Sequence, residues 1–155
     1  MCRRVALLNI YIGAVKTAIA PYISNERVDK MSGTAAPLIT DNIADISIQA
    51  SKPVTVSVTT NSPTTQTVTF IRGGQTIYCF SGAGERNLIG SAQMNDSSRF
   101  QAKFEFQPKG GALSKSALRT GGPYSIGSTN FLIVVAENGD DADYNDVVVQ
   151  FSWKS

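Results

Sequence analysis

An all-β fold, an antiparallel sandwich or barrel in a single domain, is what this sequence predicts, on three observations. From Ile39 onward apolar residues recur with a period of two. Clusters of Gly, Pro, Asn, Asp and Ser interrupt those runs at short spacing. Two late runs, Phe131 to Val135 and Val147 to Trp153, are more continuously apolar and read as central strands. At 155 residues the chain is about one domain long and can bury a core without covalent staples.

The first segment differs from the rest. "MCRRVALLNIYIGAVKTAIAPYI" has a basic start, an apolar stretch and a small-residue "AIA", a loose signal-peptide pattern interrupted by Asn9 and Lys16. The apolar run is too short and too broken to span a bilayer. Met31 opens "MSGTAAPL", which serves equally well as a protein start. Three readings stay open for residues 1–37: a targeting segment, a poorly ordered leader, or residues upstream of the true start. Cytoplasmic and secreted locations therefore both stay open. The β-domain is assigned to 38–155.

The strands follow in order. Val54, Val56 and Val58 share one face of "VTVSVTT", with hydroxyls on the other, and "QTVTFIR" alternates likewise. "QTIYCF" reads as the next strand. In "RFQAKFEFQ", Phe100, Ala102, Phe104 and Phe106 alternate with Arg99, Gln101, Lys103, Glu105 and Gln107, giving one buried and one wet face. Turns are expected at "TNSPTT", "RGGQ", "SGAGERN", "MNDSS", "PKGG" and "TGGPYS". The Gly-rich stretch Lys109 to Gly127 is the least legible, and "ALSKSALR" suits a strand or a turn of helix.

Composition excludes several function classes. The chain has no histidine, which removes Ser-His-Asp and Cys-His catalysis and histidine-containing zinc sites. A net charge of +2, with scattered basic residues, gives no footprint for nucleic acid or a membrane surface. Of the two cysteines, Cys79 reads as a small buried apolar residue on a strand; a disulfide with Cys2 stays open but has no support in the pattern.

The informative stretch is "ENGDDADYNDVVVQFSW". Glu137, Asp140, Asp141, Asp143 and Asp146 fall within ten residues, between two of the most apolar strands. Such carboxylates must be protonated, paired or metallated, and nearby Lys and Arg are few. A merely solvated turn seldom holds so many. Every donor on offer is an oxygen, from Asp, Glu or Asn, which selects Ca²⁺ over zinc or copper. The carboxylates outnumber the needs of one ion, so two adjacent Ca²⁺ ions are expected.

Asp141, Asp143 and Asn145 keep the D-x-D-x-N rhythm of an EF-hand, but the sixth position is Asp146 rather than Gly and the twelfth is Ser152 rather than Glu. This is calcium on a β-scaffold. A glycosidase acid–base pair needs one carboxyl kept protonated across a cleft, which metal-neutralised groups on one loop do not supply. No enzymatic activity is expected.

The acidic loop and last strand resemble those of the calcium-dependent fucose- and mannose-binding bacterial lectins (the LecB or PA-IIL-like family). The first half, with its "N-S-x-x-T-Q-T-V" turn and "F-S-G", resembles the family as well, so the likeness runs from about Lys52 to Trp153. It implies a sandwich of about nine strands holding two Ca²⁺ ions per subunit, both ligated directly by hydroxyls of one monosaccharide. The implied metal ligands are Asn61, Glu137, Asp141, Asp143, Asn145 and Asp146, with the carboxylate of Ser155 reaching in from a neighbouring subunit of a homodimer or homotetramer. The implied sugar contacts are Ser62, Pro63, Thr64, Asn138, Asp141, Asp143 and Asp146, and the implied partners are fucosylated or mannosylated glycoconjugates. A hydroxyl at Ser62 tilts the expectation toward fucose.

Two departures stand out. Asn138 occupies the place of a family Asp. The chain ends Trp153-Lys154-Ser155 where the family ends "W-P-L-G". The competing reading is a structural or adhesive domain whose calcium only stiffens the loop. A distant ligand such as Asn61 has no purpose there.

Overall fold

A computed structural model of the chain describes residues 33–95, 99–139 and 143–155. Among them nine strands form and no helix: β1 (Leu38–Thr40), β2 (Ile43–Ser47), β3 (Val54–Arg72), β4 (Gln75–Met94), β5 (Arg99–Gln107), β6 (Ser114–Lys115), β7 (Ala117–Ile126), β8 (Thr129–Glu137) and β9 (Val147–Lys154). All pairings are antiparallel. The all-β expectation holds. Most of the leader, residues 1–32, lies outside the described residues, as does Cys2; the first strand begins at Leu38.

β3 organises the molecule. Its whole length pairs with β4 in a long hairpin closed at Gly73–Gly74. Its other edge is divided. Thr55 to Thr60 pair with β9, whereas Thr65 to Ile71 pair with β5. The sheet therefore runs β1-β2-β5 on one side of the bend in β3 and β9-β8-β7 on the other. Folding at that bend lays the two halves face to face. Phe151 on β9 meets Phe70 on β3 at 6.2 Å and Phe100 on β5 at 5.7 Å between ring centroids, although β9 and β5 share no ladder. The result is a two-layered sandwich in one continuous sheet.

The period of two survives the bend. Val54, Val56, Val58, Thr60, Ser62, Gln66, Val68 and Phe70 are all buried, so even-numbered side chains point inward along the strand. Burying each large apolar side chain here contributes about 1.5–3 kcal/mol. Phe100, Ala102 and Phe104 are buried as the alternation of β5 predicts, while Phe106 is half-buried. β8 and β9 each have a strand on both sides, which explains their continuous apolar character.

Three expected turns are absorbed into strands. "TNSPTT" is a run of register shifts inside β3, between Thr60 and Gln66. "SGAGERN" lies within β4, where Gly84 (φ 115°) and Arg86 (φ 50°) bulge the strand rather than end it. "TGGPYS" is a shift between Gly121 and Tyr124 inside β7. Turn-forming residues mark a bulge as readily as a chain reversal, and only the partner strand decides which. "ALSKSALR" is strand, divided between β6 and β7. Cys79 is also a correction: it is half-buried rather than buried, with its Sγ 3.7 Å from Thr69 Oγ1.

Candidate functional site

The acidic segment closes the β8–β9 hairpin, whose last paired residues are Ala136 and Val147. Both carboxylates that flank the turn are drawn inward. Glu137 is 3% exposed and Asp146 6%. Backbone donors serve them: Gly139 N reaches Glu137 Oε1 at 3.1 Å, Tyr144 N reaches Glu137 Oε2 at 3.1 Å, and Asn138 N reaches Asp146 Oδ2 at 2.7 Å. Gly139 (φ 91°) and Tyr144 (φ 56°) lie in the left-handed region, which turns these N–H groups toward the buried carboxylates. Tyr144 is held in place by the Arg119 guanidinium, 4.0 Å above its ring.

The electrostatics of the pair are unbalanced. Burial pushes the Glu137 carboxyl up to about 7; the hydrogen bond and negative charge of Asp146 add to this, while the Gly139 and Tyr144 N–H groups oppose it. No Lys or Arg pairs with Glu137 or Asp146 among the described residues; the ion pairs Lys103–Glu105 and Lys115–Asp41 lie elsewhere. Two adjoining buried carboxylates with no side-chain cation are a site that a cation would stabilise, and the all-oxygen donor set suits a hard divalent ion. Among the described residues no three acidic side chains already converge as a metal cluster. Asp140 and Asp141 lie outside the described residues.

Asn61 joins the loop from β3. The register that pairs Thr60 with Val147 places it beside the turn. Its N–H donates to the Asp146 carbonyl at 3.0 Å and its Nδ2 to the Asn145 carbonyl at 2.9 Å, while its Oδ1 accepts from Arg86 N at 3.0 Å. Asp143 and Asn145 are exposed and bonded to each other, through Asn145 N to Asp143 Oδ1 at 3.2 Å and through the Asn145 side-chain amide to Asp143 Oδ2.

The triplet after Asn61 meets the loop through Asn138. Asn138 Nδ2 lies 3.2 Å from both Ser62 Oγ and Thr64 Oγ1, and those two hydroxyls are 2.8 Å apart. Ser62 is wholly buried, Thr64 half-buried and Pro63 exposed. Ser62 therefore supports the rim from beneath, and Pro63, Thr64 and Asn138 form the accessible edge.

Ser155 lies apart. It sits beyond the end of β9 distant from the turn, bonded to the Ser128 carbonyl and to Asn130, roughly 25 Å along the strand from the acidic loop. It does not join the loop of its own chain. Sequence reasoning missed Gln66, which donates to Thr64 Oγ1 at 2.9 Å, and the backbone of Arg86. Gln66 had a signal: it is the amide on an inward face that continues as Val68 and Phe70. Arg86 had none, because it reaches Asn61 only through the β3–β4 ladder.

The family pattern for fucose-binding lectin II (PA-IIL) matches residues 46–155. Among solved structures, the chain is similar to a lectin of Chromobacterium violaceum, CV2L, in complex with alpha-methyl-fucoside: 25% identity, 76% of this chain and 99% of that chain covered, TM-score 0.59. It is similar in fold to the Ralstonia solanacearum high-affinity mannose-binding lectin, at 24% identity, 76% and 99% coverage and TM-score 0.58. The C-terminal domain of the BC2L-C lectin from Burkholderia cenocepacia has the same fold, at 22% identity, 75% and 97% coverage and TM-score 0.53. No curated protein matches the chain at a significant level.

Proposed function

The chain belongs to the fucose-binding lectin II (PA-IIL) family, and from that premise we propose that it is a calcium-dependent lectin that binds fucose- or mannose-type units of glycoconjugates without turning them over. The observation that carries this reading is the junction of two distant segments. Asn61 is bonded to the acidic turn by main chain and side chain, and this brings Ser62, Pro63 and Thr64 against Asn138. A loop stiffened only for structural reasons does not need a rim of hydroxyls and amides assembled beside it.

In this reading Glu137, Asp143, Asn145, Asp146 and Asn61, together with Asp141, would hold two Ca²⁺ ions. When bound, the ions supply open coordination positions for vicinal sugar hydroxyls and acidify them. The carboxylates of Asp141, Asp143 and Asp146 would accept hydrogen bonds from those hydroxyls. Asn61 would contribute a neutral oxygen, its Oδ1, which here accepts from Arg86 N and would have to turn toward the ion; its neutrality limits repulsion in an already anionic site. Thr64, Pro63 and Asn138 border the ligand and act on preference through hydrogen bonds and shape. The Ser155 carboxylate contributes only from a second copy, in a homodimer or homotetramer.

Calorimetric titration of the calcium-loaded protein with methyl α-fucoside and methyl α-mannoside tests the reading. Saturable heat that vanishes in excess chelator is expected. The absence of heat with both sugars overturns the lectin assignment, and heat that persists in chelator overturns the role of the metal. Release of product from a nitrophenyl glycoside would make the protein an enzyme instead.

A further inference from the structure

Gln66 is wholly buried at the point where β3 resumes regular pairing after its bend, opposite Gly82 on one side and Phe106 on the other. Its neighbours along the inward face are Val68 and Phe70, and a methionine or leucine would fill much the same volume. The amide instead leaves Oε1 without a partner among the described residues, a state that buried polar atoms rarely keep. Its polarity is used in one place, the bond from Nε2 to Thr64 Oγ1 at 2.9 Å.

That bond determines how the next hydroxyls are used. A hydroxyl accepts twice and donates once. Thr64 Oγ1 accepts from Gln66 Nε2 and, at 3.2 Å, from Asn138 Nδ2, so its own proton goes to Ser62 Oγ at 2.8 Å. Ser62 Oγ then accepts from the Thr64 hydroxyl and, at 3.2 Å, from Asn138 Nδ2, while the Thr64 N–H approaches it only at a longer 3.4 Å. The Asn138 NH₂ group is thus held by two hydroxyls whose donor direction begins at Gln66. Without that donor, Thr64 can reverse and donate elsewhere, and Asn138 loses one of two fixed acceptors.

We propose that Gln66 is a positioning residue for the sugar site, fixing the direction of the Thr64–Ser62 hydroxyl pair and through it the orientation of the Asn138 amide at the rim. The inference rests on the lectin reading above. It makes sugar preference depend on a residue that no ligand touches.

The test is a double-mutant cycle on the full chain, Gln66→Met and Thr64→Val singly and together, titrated with methyl α-fucoside and methyl α-mannoside in calcium. Gln66→Met is expected to weaken binding about three- to tenfold, the scale of one lost hydrogen bond, and to change the fucoside-to-mannoside ratio. Calcium affinity measured without sugar stays at the wild-type value. In the Thr64→Val background Gln66→Met has no further effect. Unchanged sugar affinities in Gln66→Met, or losses that simply add in the double variant, overturn the proposal. Should wild-type protein bind neither sugar, the lectin reading itself fails and this inference with it; a fault confined to the variants counts against Gln66 alone.

Should Gln66→Met not fold, the side-chain amide NMR signals of Asn138, recorded without sugar, decide through Thr64. They move in Thr64→Val and return toward wild type in Thr64→Ser if the hydroxyl chain orients Asn138. Signals unmoved in Thr64→Val overturn the proposal.

Discussion

The Asn61 side-chain amide donates to the Asn145 carbonyl at 2.9 Å, across 84 positions of sequence. This bond, with the Asn61 N–H to the Asp146 carbonyl, is where the bend of β3 meets the β8–β9 turn. Two loops that would otherwise move independently are thereby held as one rim, which is the precondition for reading a small ligand by geometry.

Asn61→Ala removes both side-chain bonds and leaves the backbone bond in place. A loss of about 1–3 kcal/mol in unfolding free energy is expected from the two bonds, together with loss of sugar-dependent heat. Urea denaturation beside calorimetry checks both. An unchanged unfolding curve would show that the bend and the turn do not depend on each other.

The Glu137–Asp146 pair gives the metal-free protein a defined pH response. Glu137 has its carboxyl raised from 4.5 to about 7 in the fold, so the native state holds a proton that the unfolded chain releases between those values. Its contribution to stability is fully present below pH 4.5 and is lost as pH rises through about 7. Denaturation in chelator at a series of pH values from 5 to about 8 should show falling stability. Excess calcium should reduce that fall, because bound cation takes over the role of the proton.

Asp146→Asn separates charge from hydrogen bonding. The amide oxygen can still accept from Asn138 N, but Glu137 loses its like-charged neighbour. At pH 8 the metal-free variant should be more stable than wild type, whereas its calcium affinity should be at least about tenfold weaker, since a single pKa-scale electrostatic change is worth about 1.4 kcal/mol. Thermal melts in chelator and a calcium titration measure the two opposed effects.

Phe151→Ala tests the layer packing rather than the site. Phe151 touches both Phe70 and Phe100 from the opposite layer and is fully buried. A loss of about 3–5 kcal/mol is expected from the cavity and the lost apolar contact. A loss near zero would mean that the layers do not depend on this contact.

The legible parts of the sequence were those whose signal is local. Alternation gave the inward face of β5 at Phe100, Ala102 and Phe104, and continuous apolar character identified β8 and β9 as interior strands. Turn chemistry was less reliable. The Gly-Pro-Asn clusters near Asn61, Gly84 and Pro123 mark bulges within long strands, because a strand whose ladder with its partner resumes beyond the irregularity can absorb an extra residue without reversing. The family resemblance drawn from the acidic loop and the Asn61 turn agrees with the pattern match over residues 46–155.

What the sequence determined alone was the chemistry on offer: an oxygen-only set of donors in one short turn, no histidine, and strands alternating around an apolar core. Tertiary structure decided how that chemistry is arranged. It buried Ser62, brought Asn138 onto Ser62 and Thr64, set Gln66 behind them, and placed Ser155 at the far end of β9. The reason is physical. Donor type and face are properties of each residue and its neighbours in the chain, whereas contacts between residues 60–66 and 137–146 follow from strand register across the bend in β3.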